Sequence, residues 1–386
     1  MAFVHLHNRT QYSLLDGATG SADYVARAEE MGMPALAITD TCNLYCGIEF
    51  YKAAKYSSVK AVHGAEIWMW PDGLDKLNPS LPDDGWHLVF LIQDGTGYKN
   101  LCALITTAIF DGIHYRPRID FELLEKHREG LIVMTSGLNG PVGRLSRGTG
   151  ADGIAAKATL ERLAEVMGPD NLFVELQDYG LPRQPEVNTL ARRLAAEVGL
   201  KTVVTNDCRY IQNTDAVTLD LLNCIARGAL VDSPERDGLP SDQQFFKTEA
   251  EMRALFPDDG EAMDRTVEIA ERCSYSYKMA PPYFFPATDP PDPDPKVAED
   301  WPKDKPRPRA DTDANWDYFY KAFPPPANYE MPNPDKGEPV PPRVDGAGSI
   351  NGYFEWYCRR GLVLRLKDDE IPEDLHQQYW DLLDYE

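Results

Sequence analysis

The sequence predicts an α/β protein whose strands close into a distorted barrel. Seven short apolar runs, many rich in β-branched residues, recur within the first 205 residues of the 386-residue chain, and most precede a stretch with the apolar spacing of an amphipathic helix. Strands that alternate with helices indicate a parallel sheet with crossover helices. Seven such units favour a closed sheet, whose working groups lie at the carboxyl ends of the strands. An open, doubly wound sheet is the alternative.

Each predicted element follows from its local pattern. Strands are expected at residues 3–7, 35–39, 61–68, 87–92, 131–135, 172–176 and 202–205. Helices are expected between them, in ADYVARAEEMG, IEFYKAAKY, YKNLCALITTA, IAAKATLERLAEVMG and VNTLARRLAAEVG, where apolar residues recur every three to four positions. The barrel is therefore predicted within a first domain, residues 1–286.

The composition changes beyond this first domain. Residues 287–345 hold 15 of the 31 prolines of the chain, and 13 acidic residues stand there against 8 basic ones. Such a stretch buries too little apolar surface to form a core, so residues 287–349 are predicted to be an extended, proline-rich acidic linker or insertion. A helical pattern resumes in YFEWYCRRGLVLRL, which marks residues 350–386 as the start of a further, truncated region.

Charge and hydropathy exclude several classes of protein. The formal net charge of −23 argues against broad DNA binding by this chain alone, because phosphate contacts require clustered Lys and Arg. No run of eighteen apolar residues occurs, and the N-terminus lacks a basic segment followed by an apolar stretch, so we expect no membrane contact and a cytoplasmic location. The seven irregularly spaced cysteines are typical of reduced thiols.

The opening run FVHLHNRTQYSLLDG, residues 3–17, carries the chemistry. An apolar strand ends on His7, a polar turn follows, and Asp16 comes nine residues later. Imidazole nitrogens and carboxylate oxygens are common ligands of zinc and manganese, so the pattern indicates a divalent-metal phosphoesterase. His5 is more readily explained as a packed or hydrogen-bonded residue of the barrel.

The same run resembles the first motif of the PHP (polymerase and histidinol phosphatase) family, in the form found at the N-terminus of bacterial DNA polymerase III alpha subunits. GMPALAITDTCNLYCGIEFYKAAK, VHGAEIW, WHLVFLIQDGTGYKNLCALIT, FVELQDYGLP and TVVTNDCRY follow that family in order and spacing. The resemblance covers residues 3–286 and implies a distorted (β/α)7, TIM-like barrel. Residues 353–386 resemble the start of the polymerase palm, whose catalytic aspartates lie further on and are absent from this chain.

The resemblance also implies nine metal-binding positions. Five keep a residue able to bind a metal, namely His7, Asp16, Glu66, His87 and Asp207, although His87 opens its predicted strand instead of closing it. Four are replaced, by Arg9, Thr41, Gly137 and Arg209. Because a permanently charged guanidinium repels a divalent cation, we expect a degraded site in which the two arginines pair with the remaining carboxylates. An active site holding zinc or manganese is the alternative.

The function implied by the resemblance is that of the N-terminal, PHP-containing part of a replicative DNA polymerase. The parent enzyme would add nucleotides to a DNA 3′ end with Mg²⁺, whereas this chain would be mainly structural, with no catalytic residue of its own. Its implied partners are the remainder of the alpha subunit, the proofreading exonuclease subunit and, through the full polymerase, DNA. The competing hypotheses are a metal-dependent 3′–5′ exonuclease or phosphoesterase and a free-standing PHP phosphatase.

Overall fold

The computed structural model describes residues 2–278 except 72, 75–84, 114, 148–152 and 234, together with residues 376, 377 and 379. The chain divides into two units, Met1–Lys278 and Met279–Glu386, and the fold described below is that of the first. The predicted linker at 287–349 and, apart from those three positions, the palm-like stretch 350–386 lie outside the described residues. The domain boundary at residue 286 stays a prediction.

Among the described residues, seven strands form one curled sheet, which confirms the predicted α/β class with a distorted, barrel-like sheet. The strands are β1 (Ala35–Thr41), β2 (Lys60–Met69), β3 (Trp86–Ile92), β4 (Arg118–Ile119), β5 (Leu131–Met134), β6 (Leu172–Gln177) and β7 (Lys201–Thr205). They pair in the order β1-β2-β3-β5-β6-β7, and the short β4 lies beside β2. Six of the seven predicted strands therefore form close to their expected positions.

Helices surround this sheet, and several begin at a side-chain cap. Their bounds are α1 (Ser21–Glu30), α2 (Gly47–Lys55), α3 (Gly95–Phe110), α4 (Phe121–Lys126), α5 (Pro141–Leu145), α6 (Ile154–Met167), α7 (Gln184–Val198), α8 (Ala216–Arg227), α9 (Glu249–Leu255) and α10 (Gly260–Arg272). Asp94 and Asp120 accept hydrogen bonds from the first backbone amides of α3 and α4. Within the described ranges, no helix is long and apolar enough to cross a membrane.

The sheet is not wholly parallel, and in this respect the prediction was wrong. Strand β3 runs antiparallel to both β2 and β5, whereas the other neighbours are parallel. The sequence between β2 and β3 holds Pro71, Pro79 and Pro82 and lacks a helical pattern. A parallel pair needs a crossover connection, which is usually a helix, so this segment favours an antiparallel pair. As a consequence, the first residues of β3 lie beside the last residues of β2, and His87 pairs with Trp68.

Residues 3–7 do not form the regular strand that was predicted. The segment nevertheless lies between the two edges of the sheet, because His5 O accepts from Ala37 N of β1 and His7 O accepts from Cys208 N, just past β7. The amide of Asn8 donates to the backbone oxygens of His5 and Ala37, at 3.0 and 2.7 Å, and takes the place of a regular ladder. The N-terminal segment thus bridges the edges of the curled sheet.

Side chains alternate across the strands and form two apolar layers. The outward-facing residues, such as Leu36 and Ile38, pack against the helices. The inward-facing residues, such as Ala37 and Phe173, form a second cluster inside the sheet. Helix α10 contributes Ile269 to this inner cluster, so one end of the interior is filled by apolar side chains. The site lies towards the other end.

Candidate functional site

The inward-facing positions change from apolar to polar at the carboxyl ends of the parallel strands. Along β2 the buried Val62 is followed, on the same face, by Glu66, and along β6 Phe173 is followed by Glu175 and Gln177. The loop after β7 adds Asp207, which holds a left-handed backbone conformation with φ +46°. The polar cluster described below therefore forms because side chains alternate along each strand and those on one face point into the same interior.

Arg9 lies at the centre of this polar cluster. Its side chain is only 3% exposed, and it contacts three carboxylates that come from different parts of the chain. Nη2 lies 2.6 Å from Glu66 Oε2, Nε lies 3.0 Å from Asp207 Oδ1, and Nη1 donates to Asp16 Oδ2. The planar guanidinium thus connects the N-terminal loop, β2 and the loop after β7.

Arg209 provides a second guanidinium nearer the surface. Its Nη2 donates to Asp207 Oδ2 at 3.0 Å, and its Nη1 donates to Asp16 Oδ1. Both oxygens of Asp16 are therefore engaged by arginines, although this side chain is 34% exposed. Gln244 Nε2 completes the arrangement by donating to Asp207 Oδ2 at 3.0 Å.

Glu66 joins the arginines to the antiparallel strand. Its Oε1 accepts from the hydroxyl of Ser136 and lies 3.0 Å from Nδ1 of His87. His87 opens β3, and the antiparallel direction of this strand is what brings its first residues to the edge where the parallel strands end. The ring of His87 is packed edge-on against Trp68, with centroids 4.2 Å apart.

His7 belongs to the same cluster but faces a different carboxylate. Its Nδ1 lies 2.8 Å from Glu175 Oε1, and its Nε2 lies 3.6 Å from Glu66 Oε1 and 3.5 Å from Asp207 Oδ1. Glu175 also accepts from Thr205 Oγ1, from Gln177 Nε2 at 2.8 Å, and from the backbone amide of Ser136 at 2.7 Å. Every oxygen of this buried carboxylate is engaged.

The electrostatics follow from this burial and pairing. Burial alone would lower the pKa of His7, but the carboxylates of Glu175, Asp207 and Glu66 outweigh it and raise the pKa to about 9. Burial opposes the ionised form of Glu66, yet the charges of Arg9, His87 and His7 hold its pKa well below the usual range. The pKa of Asp207 is likewise lowered, because Arg209 and Arg9 outweigh its desolvation. At neutral pH the cluster therefore combines ionised carboxylates, two guanidiniums and an imidazolium.

Two of the nine positions carried over from the resemblance lie beside the cluster and add no ligand. Thr41 closes β1, and its hydroxyl is buried without a hydrogen-bond partner among the described residues. Gly137 has φ +50°, and a Cβ built on it would lie 2.6 Å from Gln177 Cδ, so the side chain of Gln177 occupies the space of any larger residue there. The other seven positions form the contacts described above.

The remaining histidines near the first strands pack elsewhere. His5 Nε2 lies 2.8 Å from Lys247 O, and its ring packs on Phe246. His63 faces outward from β2 and contacts Phe50 and Tyr277. Burial lowers the pKa of both rings to about 4, so each is a neutral, packed imidazole.

Sequence reasoning missed Glu175, Gln177 and Ser136. A signal was present, because LFVELQ places one carboxylate inside an apolar strand, and an ionised group in that setting needs partners. Asp40 lies next to Thr41 at the end of β1. It accepts hydrogen bonds from Thr10 N, Thr10 Oγ1 and Ser13 Oγ, each at 2.7 Å, and so holds the loop that carries Asp16.

The donor set does not fit a divalent cation. A metal needs carboxylate lone pairs and unprotonated imidazole nitrogens, but the oxygens of Asp16, Glu66 and Asp207 already face Arg9, Arg209 or other donors. The carboxylates around His7 raise its pKa to about 9, so a cation would have to displace a proton from this ring at neutral pH. Among the residues that the structure describes, no group of three or more His, Cys, Asp or Glu side chains is arranged to hold a metal ion.

Comparison with known proteins gives a consistent result. The family model for the PHP domain matches residues 5–179. The DNA polymerase III subunit alpha of Treponema pallidum is 36% identical over 276 residues, which cover 71% of this chain and 23% of that protein. The subunit of the same name from Thermus aquaticus is 38% identical over 280 residues, again 71% of this chain and 23% of the relative. The chain thus spans about a quarter of the length of these relatives.

A solved structure from Bifidobacterium adolescentis, assigned as a metal-dependent phosphoesterase, is also similar. It is 14% identical, covers 53% of this chain and 87% of its own, and aligns with a TM-score of 0.30. At that score the similarity adds nothing to the argument from the residues.

Proposed function

We propose, on the premise that this chain carries a PHP domain and resembles DNA polymerase III alpha subunits, that it is the PHP-containing part of such a subunit and acts there as a structural module. One observation carries the proposal. The guanidinium of Arg9 lies among Asp16, Glu66 and Asp207, which are three of the positions that would otherwise bind metal. An ion-pair cluster that links distant parts of the chain supports a role in holding the domain together.

Hydrolysis at this site would require a large rearrangement. Metal-assisted phosphoester cleavage needs a cation that lowers the pKa of a bound water and stabilises the developing charge. A divalent cation that took the place of Arg9 would leave a buried guanidinium without its carboxylates, and a charge left unpaired in this way costs several kcal/mol, roughly 3–5 by comparison with other proteins. The ionised arginine and the catalytic metal therefore exclude one another.

The parent activity in this proposal is template-directed addition of nucleotides to a DNA 3′ end, with Mg²⁺ bound in another part of the polymerase. The names of the relatives support this assignment. The net charge of −23 supports a division of labour in which DNA is held by other regions of the enzyme. The proposed partners are the remainder of the alpha subunit and a proofreading exonuclease subunit, and the proposed location is the cytoplasm.

The competing function is a metal-dependent 3′–5′ exonuclease or small phosphoesterase with zinc or manganese. The observation in its favour is that His7, Asp16, Glu66, His87 and Asp207 still converge at one end of the sheet. These five side chains therefore lie close enough together to suggest a metal site, although arginines lie between them.

A hydrolysis assay distinguishes the two functions. The purified chain is supplied with Mn²⁺ or Zn²⁺ and a single-stranded DNA labelled at its 5′ end, and shortening of the DNA is followed on a gel. We expect no shortening beyond that seen with a Glu66→Gln variant, which removes one of the five remaining ligand positions. Metal-dependent shortening that Glu66→Gln abolishes would establish the exonuclease and contradict the structural proposal.

A further inference from the structure

Four arginines lie along one rim of the barrel. Arg144 and Arg147 stand at the end of α5, Arg116 just before β4 and Arg183 just before α7. They come from three separate segments of the chain, none of which contains a run of basic residues, so the cluster follows from the fold and not from the sequence pattern. We call these four residues the arginine arc.

The end of α5 brings three of these arginines together. Arg183 Nη1 lies 3.5 Å from Gly143 O, and its Nη2 lies 3.4 Å from Ser146 Oγ and 3.5 Å from Ser146 O. Arg144 and Arg147 belong to the same turn of the chain as these two residues. Three positive charges therefore share one small part of the fold.

The arc continues along the paired ends of β2 and β3. Nε of Arg144 donates to Gly85 O at 3.1 Å, one residue before β3 begins. The guanidinium of Arg116 lies over the ring of Trp68, near the end of β2, at 4.7 Å from its centroid. Trp68 pairs with His87 across the two strands. The arc therefore borders the end of the sheet that carries the polar cluster.

The donors of Arg147 and Arg183 are not taken up by carboxylates. Among the residues that the structure describes, neither side chain forms an ion pair. The contacts of Arg183 are to backbone and hydroxyl oxygens, at distances that are long for hydrogen bonds. Partial burial and the charges of Arg144 and Arg183 lower the pKa of Arg147. The positive charge of this part of the arc is therefore available to an external anion.

The chemistry of these donors selects phosphate. The planar fork of a guanidinium matches the geometry of a phosphate group and binds it through two parallel hydrogen bonds. Four guanidiniums on one rim suit a ligand that carries several phosphates. Interfaces with nucleic acid are much more positively charged than interfaces between proteins, so the arc favours a nucleic acid over a protein surface, including that of the remainder of a longer subunit.

The net charge of the chain limits the strength of this contact. At −23 the chain as a whole repels a polyanion, so a local cluster of arginines should bind weakly and lose its affinity as salt is raised. A contact of this kind adds to the binding of nucleic acid by other regions of a polymerase and does not replace it.

We propose that the arginine arc binds the phosphodiester backbone of a nucleic acid strand. Arg147 and Arg183 supply the main contacts, and Arg116 and Arg144 extend them along the rim. The contact requires no metal and no hydrolysis, so this inference goes beyond the proposed structural role. Binding of DNA without shortening is the expected combination, since shortening would contradict the structural role alone and absence of binding would contradict the arc alone.

Fluorescence anisotropy with a labelled oligothymidylate tests the proposal on the full chain. We expect binding at low salt, with an affinity whose logarithm falls linearly with the logarithm of the salt concentration, because phosphate contacts release counterions. The matched probe is a peptide nucleic acid of the same sequence, which carries the bases without the phosphates and should not bind. Equal binding of the two probes, or no binding of either, would overturn the proposal.

A double variant locates the contact. Arg147→Gln/Arg183→Gln should weaken binding of the oligothymidylate by at least about tenfold and reduce the salt slope by about 1.4, since each phosphate contact to a single strand contributes roughly 0.7. Undiminished binding by this variant would place the contact elsewhere and overturn the proposal. Circular dichroism and the thermal midpoint confirm that the variant is folded.

A matched control changes the net charge by the same amount. Arg192→Gln/Arg253→Gln removes two arginines that pair with Asp259 and Glu249, outside the arc. It should leave binding and its salt slope nearly unchanged. An equal loss of binding in this control would show that net charge, and not the arc, determines the affinity, and would overturn the proposal.

Other occupants of the arc give different results. Asp83 and Asp84 directly precede Gly85 in the sequence, and binding that appears only in Asp83→Asn/Asp84→Asn would show that carboxylates of this chain fill the arc. Displacement of the oligothymidylate by polyglutamate as readily as by polyphosphate would assign the arc to an acidic protein surface, such as the remainder of a longer subunit. Displacement by orthophosphate as readily as by polyphosphate, at equal phosphate concentration, would assign it to free phosphate. Each of these results would overturn the proposal.

Discussion

Arg9 differs from an ordinary surface arginine because its partners are buried with it. Its guanidinium contacts Asp16, Glu66 and Asp207, and the last two side chains are almost completely inaccessible. A buried ion pair is weak evidence for stability, since both groups give up their hydration, but removal of one partner leaves an uncompensated charge. The sequence pointed to Arg9 because the resemblance to the PHP family implies a metal-binding position there.

Replacement of Arg9 by Met should destabilise the fold severely. The variant keeps most of the side-chain volume but leaves Glu66 and Asp207 without their main counter-charge, so we expect a loss of roughly 3–5 kcal/mol in the free energy of unfolding. Denaturant titration measures it. Lys157→Met is the control, because the Lys157–Glu197 pair is more than a third exposed on both sides and such exposed pairs contribute little to stability.

Arg209→Met should cost less than Arg9→Met. It loses contacts to Asp16 and Asp207, and Asp16 is 34% exposed and can regain water. An equal effect of the two substitutions would contradict this ranking by burial. A denaturation midpoint of the Arg9 variant that matches that of the unmodified chain would show that the carboxylates do not depend on its guanidinium.

The stability of the chain should be greatest near pH 6.5, for reasons that involve three histidines. The folded-state pKa of His7 is raised from 6.5 to about 9, so its contribution is complete below pH 6.5 and is lost as the pH rises through 9. The pKa values of His5 and His63 are lowered to about 4, so stability is lost as the pH falls from 6.5 towards 4. Denaturant titrations across this range follow both limbs.

His7→Gln separates the two limbs. The shifted pKa of His7 implies that the free energy of unfolding falls by about 3 kcal/mol between pH 6.5 and 9. The variant should lose most of this fall but keep the loss of stability on the acid side. An unaltered alkaline limb in this variant would mean that His7 is not held protonated by Glu175, Asp207 and Glu66.

At the scale of the elements, the direction of β3 explains why one predicted ligand was hard to place. His87 opens its strand, and in a wholly parallel sheet the start of a strand lies at the opposite end from the site. The antiparallel pairing of β3 with β2 reverses this, so His87 lies beside Glu66. The periodicity of the sequence predicts that a strand exists, but it contains no information about strand direction, which follows from the connection.

Gly137, in the turn after β5, lies directly against the side chain of Gln177 at the end of β6. Gly137 has φ +50°, and any side chain at this position would collide with Gln177. Gln177 in turn donates to Glu175, the carboxylate that faces His7. Any larger residue at position 137 therefore requires Gln177 to move, and this coupling cannot be inferred from either residue alone.

Gly137→Ala should destabilise the chain by roughly 1–3 kcal/mol, because it combines a left-handed backbone with a collision. Gly199→Ala is the control, since Gly199 has φ +79° but no atom within 4 Å of an added Cβ, and it should cost less. In the double variant Gly137→Ala/Gln177→Ala the collision is removed. Its loss of stability should therefore be smaller than the sum of the losses in the two single variants. Strict additivity in this cycle would show that the residues do not interfere.

At the scale of the whole molecule, the sequence predicted most of the first unit. Periodicity located six of the seven strands, and the resemblance to a known family indicated that His7, Asp16, Glu66 and Asp207 converge. Glu175 and Gln177 were missed because a single polar residue inside an apolar strand shows that partners are needed without showing which ones. The strand expected at residues 3–7 is irregular because Asn8 uses its side-chain amide where a strand would use backbone pairs.

The end of the first domain stays a prediction. The sequence places it at residue 286, and the first structural unit ends at Lys278, whereas the proline-rich stretch 287–345 lies outside the described residues. Limited proteolysis with trypsin should cut first near Lys303 and Lys336 and release a stable fragment that ends close to residue 285. A resistant core that runs unbroken through residue 345 would contradict this boundary.

If the ion pairs of Arg9 and Arg209 stand where a metal centre would otherwise be, the chain should bind little metal, and its metal content measures this. The purified full chain is incubated with excess Zn²⁺ or Mn²⁺, freed of unbound ions and analysed for metal by mass spectrometry. The family resemblance implies nine ligand positions, four of them replaced, and the guanidiniums at two of these hold the remaining carboxylates, so we expect less than about one equivalent of tightly bound metal per chain. Two or three equivalents, lost on Glu66→Gln substitution, would contradict this expectation.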